Sequence, residues 1–539
     1  MGWPDGEFVQ KLKLTLIPMC IGIIFLFLSW YLSYPVSIDS PYDFVYNHFS
    51  YLYWIGLAIL FVSFFIVAMK TENKSLRWAM AIGTVSLMFS QAYFYYMIPG
   101  SDTNQFRGLT EYFISTGDLS LNQYHYYYEW PLFFILNKIA ISVTGLDLRY
   151  FEFILYCAIS SVITSFIYLH VSRIRTNAYT AVIAFFIILI PLTIFEFWSP
   201  FALSLCLILL LLYLDNLSGK HEVLLAMVVV FVGITFTHIL VPLLFVIYSL
   251  VMYFLKKSRK YLNLFITTSI IYILVESYNV AFAKYVRQLT IPVFLEIGSR
   301  IATLTTASSI APKPYVEVIA QLFSRTAVIT TALITGLGFI ILLRRRKLRG
   351  TDYAMLLVGA MFTVGLLISP SAYHEFSNRS YFLICIPVSL GASYLCEGKF
   401  KKYLKTIFLV LLVLFTFTLM HQTFYDQQIF FQTKAEYQCA NFMIEDINWT
   451  TPTSILSHFR VEQYLIGKIP SDIVRFGDDT SLGKFPENIT DYTYVVYTIG
   501  LAKSFLAANS SVEESFREFE VNHFNLIYNS GNFSCIFSK

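Results

Sequence analysis

The chain has 539 residues, of which 57% are hydrophobic, 18% aromatic and 13% charged, and its mean hydropathy is +0.62. This composition excludes a soluble protein for all but the tail, because apolar stretches recur near the length that crosses a ~30 Å hydrocarbon core. The formal net charge of +4 is uninformative by itself.

The apolar stretches predict a multi-span helical membrane protein with about thirteen crossings. The first stretch is too long for the apolar part of a signal peptide and has no cleavage site of small residues after it, so we expect it to be retained. The predicted spans lie at residues 12–34, 51–69, 77–98, 150–172, 178–198, 200–215, 222–236, 239–255, 262–283, 321–343, 352–369, 380–397 and 403–421.

The distribution of basic residues predicts the orientation of these spans. With a cytoplasmic N-terminus, the inner segments hold 21 Lys and Arg, including the runs KKSRK and RRRKLR, and the outer segments hold fewer. The positive-inside rule expects this asymmetry. Four glycosylation sequons, NWT, NIT, NSS and NFS, lie after the last span and would be modified only on the outer side. We therefore expect a cytoplasmic N-terminus and an extracytoplasmic tail.

The first long outer segment opens with the acid Asp102 in the stretch GSDTNQF. An amphipathic helix should follow, with Phe106, Leu109 and Phe113 on one face, and should stop at Gly117. The aromatic stretch YYEWPLFFIL comes next and suits a position in the membrane interface. The stretch 131–145 is short for a span and predicts a second interfacial or partly re-entrant helix. Long outer loops in compact membrane proteins are usually functional.

Asp102 has a structural and a chemical interpretation. The sequence DTNQ fits a capping box, in which Asp102 is the N-cap and Gln105 reaches back to it, and a carboxylate there also suits the helix dipole. The same carboxylate could instead remove a proton from a substrate hydroxyl. The two roles are compatible.

The tail predicts a small α/β domain. KAEYQCANFMIEDI has helical spacing, TYVVYTI is typical of a buried strand, and FNLIYNSGNFSCIF indicates a hairpin. In an oxidising exterior, a disulfide between Cys439 and Cys535 would join the start of this domain to its end. The domain is acidic, which argues against nucleic-acid binding.

The order of these features resembles the GT-C superfamily of multi-span glycosyltransferases, which use polyprenyl-phosphate sugars. The likeness rests on the acid-bearing first outer loop with YYEWPLFFIL, and then on FEFWSPFALSLCLILLLLYL, FTHILVPLLFVIYSL and AYHEFSNRSYFLICIPVSLGASYL in that order. The tail is similar to those of prokaryotic, especially archaeal, members. The resemblance implies two additional N-terminal helices over 1–76, a catalytic membrane domain over 77–421 with outer loops 99–149 and 284–320, and a soluble domain over 422–539.

The resemblance also implies a chemistry. A sugar would move with inversion from a polyprenyl (dolichyl or undecaprenyl) phosphate to a hydroxyl of a lipid-linked glycan, a surface polysaccharide or a protein, with Asp102 as general base. An oligosaccharyltransferase is a second interpretation, although its WWDYG signature is absent from this tail. A transporter or flippase is a third, although we find neither an internal repeat nor the buried midplane charges typical of one.

Further candidates follow from position. An acceptor could be bound, or Asp102 oriented, by Glu129, Glu196 and His238. Glu129 could instead be a structural acid at the start of the second interfacial helix, and His238 could bind backbone carbonyl groups left free by a helix break. For the donor phosphate we expect Arg379 with His374, and less strongly Arg287, Arg300 and Lys138. Arg379 could instead pair with Glu375 or anchor its span. Asp102, Glu129 and Glu196 could converge on a divalent cation, but their spacing follows no metal-ligand pattern and the sequence does not require one.

Overall fold

A computed structural model describes most of the membrane region and parts of the tail. The described residues are 6–36, 48–96, 98, 103–117, 126–173, 177–189, 198–217, 221–279, 315–368, 370–397, 401–426, 434–447, 453–457, 461, 464–465, 468, 474–476, 493–497, 525–529 and 535–538. The four predicted sequons lie outside them.

Within these ranges the chain is predominantly helical. Among these residues, each of the thirteen stretches predicted as spans overlaps one α-helix. The α-helices are α1 (Gly6–Ser33), α2 (Tyr51–Lys70), α3 (Lys74–Met88), α4 (Thr103–Thr116), α5 (Leu132–Thr144), α6 (Leu148–Ser172), α7 (Ala178–Leu189), α8 (Pro200–Asp215), α9 (His221–Thr235), α10 (Val241–Lys256), α11 (Arg259–Ser277), α12 (Tyr315–Arg344), α13 (Gly350–Ile368), α14 (Pro370–Leu395), α15 (Lys401–Asp426) and α16 (Lys434–Asp446).

Several of these helices have the length and composition of membrane spans. Among the described residues, four segments are long and apolar enough to cross a bilayer: Leu16–Ser33, Tyr51–Lys70, Leu148–Ser172 and Leu322–Arg344. Further apolar helices of 10–17 residues include α7 to α10. The chain is therefore an integral membrane protein with a helical membrane region.

Helix α14 differs from its prediction. The predicted spans 352–369 and 380–397 leave residues 370–379 as a short outer loop, but the helix begins at Pro370 and continues to Leu395. Proline is well suited to the first turn of a helix, because its fixed φ is helical and its missing N–H would have had no partner there. His374 and Arg379 therefore lie within a helix and not in a loop. Their side chains lie outside the described residues.

The chain divides into two compact units. One contains residues 1–23, 57–89 and 155–419, and the other contains 24–56, 90–154 and 420–539. In the first unit α7 is buried along its whole length, so it forms part of the core. The second unit groups the loop that follows α3 with the polar tail. The predicted domain boundaries at 76 and 421 stay predictions.

The tail contains a five-stranded sheet in the order β2-β1-β3-β5-β4. Its strands are β1 (Thr453–Ser457), β2 (Val474–Phe476), β3 (Tyr494–Tyr497), β4 (Asn525–Asn529) and β5 (Cys535–Ser538). Strand β1 pairs in parallel with β2 and β3, and β5 pairs antiparallel with β3 and β4. The predicted helix, buried strand and hairpin strands thus correspond to α16, β3, β4 and β5, whereas β1 and β2 were not predicted.

The core of the tail lies between α16 and the sheet. Cys439 and Met443 of α16 pack with Ile455, Val496 and Ile536 of the strands. Cys439 is buried there, and Cys535 begins β5, but the side chain of Cys535 lies outside the described residues. The disulfide between them stays a prediction.

Glycines bring α12 and α14 into close contact. A Cβ built on Gly391 would collide with the backbone of α12 at Thr335, and one on Gly338 would collide with the carbonyl group of Gly391 and lie 2.8 Å from Cγ of Leu395. Small residues commonly permit this approach between membrane helices, where packing replaces the hydrophobic driving force.

This contact predicts a position-specific effect of alanine. Gly338→Ala should destabilise the protein by about 1–3 kcal/mol, because the added methyl group forces two helix backbones apart. Gly336→Ala is the matched control, since a Cβ there meets nothing within 4 Å. Thermal denaturation of the purified protein in detergent measures both variants. Equal melting temperatures for the two variants would contradict the packing described.

Candidate functional site

Helix α4 is the first element of the long loop that contains Asp102. Phe106, Leu109 and Phe113 are all buried, as the amphipathic pattern predicts. The helix ends at Thr116, and Gly117 follows with a φ of 74°. Glycine adopts that left-handed conformation without a Cβ penalty, so the predicted stop at Gly117 is confirmed.

Asp102 itself lies outside the described residues. Helix α4 begins at the next residue, Thr103, so its first turn is directly joined to the predicted base. The side chains of Thr103, Asn104 and Gln105 in that turn are buried. Among the described residues, Thr103 Oγ1 and Asn104 Nδ2 have no hydrogen-bond partner. Buried polar atoms normally have partners, so this turn offers hydrogen-bonding groups beside Asp102.

A buried ion pair holds α4 against the start of α6. Arg107 donates two 2.7 Å hydrogen bonds, from Nε and Nη2, to the two carboxylate oxygens of Glu152. Its Nη1 donates a third, 3.0 Å long, to Oδ1 of Asn104. Burial disfavours the charge on Arg107, but the Glu152 carboxylate outweighs it, and the pKa of the guanidinium lies above its ordinary value. A bidentate pair of this kind fixes both direction and distance.

Two further contacts hold the middle and the end of α4. The Tyr128 hydroxyl donates a 2.7 Å hydrogen bond to the carbonyl oxygen of Leu109. Lys138 of α5 donates a 3.0 Å hydrogen bond to the carbonyl oxygen of Phe113, and its Nζ lies 4.5 Å from the centre of the Phe113 ring. A cation at the carbonyl end of a helix is favourable. Lys138 thus binds the last turn of α4, and its role toward the donor phosphate stays a prediction.

Three tail residues converge on Glu111 of α4. The hydroxyl of Tyr464 donates a 2.6 Å hydrogen bond to one carboxylate oxygen, Tyr437 donates a 3.4 Å hydrogen bond to the other, and Lys468 forms a salt bridge with Glu111. Burial, followed by the nearby Glu111 charge, raises the pKa of both tyrosine hydroxyls. The phenols therefore keep their protons at neutral pH and act as donors. The tail is bonded to the helix that follows Asp102.

Two other predicted residues have defined surroundings. Glu129 ends a short 3-10 helix, Tyr126–Glu129, and is half-buried; it precedes α5, which begins at Leu132, and does not lie within it. His238 is buried in the break between α9 and α10, as predicted, and its Nδ1 accepts a 3.1 Å hydrogen bond from the backbone N–H of Leu240. The histidine thus supports the start of α10. Their roles toward an acceptor stay predictions.

Three of the predicted residues have no described surroundings. Glu196, Arg287 and Arg300 lie outside the described residues, as does Asp102. In the part of the chain that is described, no group of three His, Cys, Asp or Glu side chains could hold a metal ion. Two of the three acids suggested for a cation, Asp102 and Glu196, are outside that part, so the cation stays a prediction.

Sequence reasoning missed the groups that fix α4. Glu152 lies in the first turns of a candidate span, where an ionisable side chain is costly unless it is paired, and this cost is the signal that could have found it. Arg107 lies in a predicted outer segment, where a charged side chain is ordinary and indicates no partner. No local pattern marks Glu111, because its partners lie 326 and 353 residues away in sequence.

The Glu111 contacts predict a coupling between the tail and α4. Glu111→Gln should weaken amide-exchange protection across α4 and α16 by about 1.5–3 kcal/mol, because the neutral amide loses the ion pair and the two charge-assisted hydrogen bonds. Glu445→Gln, an exposed change on α16, is the control and should leave protection unchanged. Hydrogen exchange read by mass spectrometry measures both. Unchanged protection of α4 in Glu111→Gln would show that these bonds do not hold the helix.

No family model matches the sequence, and no curated protein does. Among solved structures, the chain is similar to ArnT from Cupriavidus metallidurans in the apo state, with a TM-score of 0.47, 9% identity, and coverage of 86% of this chain and 98% of that one. The same protein bound to undecaprenyl phosphate gives a TM-score of 0.42, 8% identity, and coverage of 90% and 98%.

Proposed function

We propose that the protein is an inverting glycosyltransferase that moves a sugar from a polyprenyl phosphate to a hydroxyl of an extracytoplasmic acceptor. The acceptor belongs to a lipid-linked glycan, a surface polysaccharide or a protein. The proposal places the N-terminus in the cytoplasm and the tail outside, as the distribution of basic residues indicates. Asp102 is the general base.

The observation that carries the proposal is the fixation of α4 directly after Asp102. A general base is effective only within hydrogen-bond reach of the proton that it removes, so the element that bears it must be held in one position. Helix α4 is held by Glu152 near its start, by Lys138 at its end and by the tail at Glu111. An N-cap alone needs no such support, because capping requires only the helix itself.

The reaction follows from this placement. The acceptor oxygen attacks C1 of the sugar, its proton passes to the Asp102 carboxylate, and the bond from C1 to the lipid phosphate breaks with the electron pair on the phosphate. Direct displacement inverts the configuration at C1. The phosphate is a good leaving group, so no separate acid is obligatory. The buried hydroxyl of Thr103 and amide of Asn104 could bind other hydroxyls of the acceptor.

Cations would hold the departing phosphate. We assign this role to Arg379 and His374, with Arg287, Arg300 and Lys138 as further candidates, because guanidinium and imidazolium groups form charge-assisted hydrogen bonds to phosphate. Glu129, Glu196 and His238 would bind the acceptor or orient Asp102. His374 and Arg379 lie on the same helix, α14, five residues apart.

Asparagine separates the two roles of Asp102. Asp102→Asn should fold normally, because Asn caps a helix about as well as Asp, but it should lose at least about a hundredfold in transfer rate, because an amide cannot act as a base. Asp147→Asn is the matched control. Asp147 precedes α6, and its Oδ1 accepts a 2.8 Å hydrogen bond from the backbone N–H of Arg149, which an asparagine oxygen can also accept.

The measurement is release of lipid phosphate by the purified protein from a panel of polyprenyl-phosphate and polyprenyl-pyrophosphate sugars, with glycan, lipid and peptide acceptors. Transfer by wild type and Asp147→Asn but not by Asp102→Asn is the expected result. Full activity of Asp102→Asn would remove Asp102 from the chemistry. Transfer of a whole glycan to asparagine would favour the oligosaccharyltransferase, and lipid translocation without transfer would favour the flippase.

A further inference from the structure

Arg149, at the start of α6, is surrounded by tyrosines. Its Nη2 donates a 3.0 Å hydrogen bond to the hydroxyl of Tyr150, and its guanidinium carbon lies 4.8 Å from the ring centres of both Tyr96 and Tyr150. The phenol of Tyr34 is near enough to interact electrostatically with it. We call Arg149, Tyr34, Tyr96 and Tyr150 the arginine–tyrosine cluster.

No acid neutralises Arg149 within the described part of the chain. The neighbouring acid, Asp147, accepts a hydrogen bond from the backbone N–H of Arg149 and so caps α6, and no ion pair joins its carboxylate to the guanidinium. The Nε atom of Arg149 is buried and has no hydrogen-bond partner among the described residues. In Arg107, by contrast, the Nε atom donates a hydrogen bond to the carboxylate of Glu152. Within the described residues, the guanidinium thus combines a positive charge with a buried N–H group from which an anion could accept a hydrogen bond.

The position of the cluster limits what that anion can be. Arg149 is the second residue of a candidate membrane span, Leu148–Ser172, so it lies at the depth where lipid headgroups meet the hydrocarbon core. Arg149, Tyr34 and Tyr96 are half-buried, and Tyr150 is 51% exposed, so a headgroup can reach the guanidinium. A planar guanidinium with unused N–H groups matches the geometry of phosphate oxygens, and phenol hydroxyls can donate to the same oxygens.

We propose that the arginine–tyrosine cluster binds the phosphate of a lipid headgroup at the membrane surface. The guanidinium supplies charge and a donor fork, and the tyrosine hydroxyls supply further donors around it. The cluster also contacts the tail, since the ring centre of Tyr96 lies 5.9 Å from that of Tyr437. If the transferase function holds, this inference rests on it in one respect only: the bound lipid would be the donor or its polyprenyl-phosphate product.

Binding can be measured without transfer, which separates this inference from the proposed function. The full chain is placed in micelles of a maltoside detergent, which contains no phosphate, and polyprenyl phosphate, polyprenol, phosphatidylglycerol or inorganic phosphate is added. Binding is followed by native mass spectrometry. Wild type should retain polyprenyl phosphate but not polyprenol, and Arg149→Gln should bind it at least about tenfold more weakly, because the charge-assisted hydrogen bonds are lost.

Arg173→Gln is the matched control. Arg173 follows the other end of the same helix and also lies over a tyrosine, 4.9 Å from the ring centre of Tyr213. It should leave binding unchanged. If Arg149→Gln does not fold, Tyr150→Phe removes only a hydroxyl from a half-exposed ring and should weaken binding by a smaller factor.

The arms identify the source of the phosphate. Retention of phosphatidylglycerol as strongly as polyprenyl phosphate, lost in Arg149→Gln, supports a site for lipid phosphate in general. Preference for polyprenyl phosphate supports a site for the donor lipid. Equal binding by wild type and Arg149→Gln, equal loss in Arg173→Gln, or binding of inorganic phosphate alone would overturn the proposal, whatever the transfer assay gives.

Discussion

The buried pair between Arg107 and Glu152 is the interaction on which the outer loop depends. Both side chains are almost completely excluded from solvent, so each charge is tolerable only while the other is present. Removing one partner would leave an uncompensated charge inside the protein, which typically costs 3–5 kcal/mol. A pair of this kind tolerates little displacement. Helix α4 is therefore fixed in direction from its second turn, one turn after the residue proposed as the base.

The other contacts of α4 are also polar, and they come from different parts of the chain. Tyr128 and Lys138 bind carbonyl oxygens of the helix from the same loop, whereas Tyr437, Tyr464 and Lys468 bind Glu111 from the tail. An amphipathic helix at a membrane surface could slide along its apolar face, because hydrophobic contact is not directional. Hydrogen bonds and ion pairs prevent this, since their geometry is specific. The tail thus belongs structurally to the loop.

The sequence was most informative where one physical term dominates. Within the described residues, hydropathy alone marked the stretches that contain α1–α3 and α6–α15, and the spacing of Phe106, Leu109 and Phe113 located α4, because burial of apolar surface has a helical period. The sequence did not predict features that are short, or residues that suit two kinds of structure equally well. Strand β2 has three residues, too few for a period. Pro370 falls between two predicted spans, where proline is typical of a loop, although it also starts helices well. The partners of Glu111 are distant in sequence, and only a folded chain brings them together.

That distance has a consequence for biosynthesis. The hydrogen bond between Glu111 and Tyr464 spans 353 residues, and at a synthesis rate of about 5–20 residues per second the loop waits tens of seconds for its partner. Contacts of such high sequence separation form late, since the entropy cost of closing a long loop comes before the contacts stabilise the chain. The contacts of Glu111 therefore form only after all the helices between α4 and the tail have been synthesised. A chain whose synthesis stops before the tail would carry Glu111 without its donors. The contacts of this one carboxylate therefore form only in a chain that has been synthesised as far as Lys468.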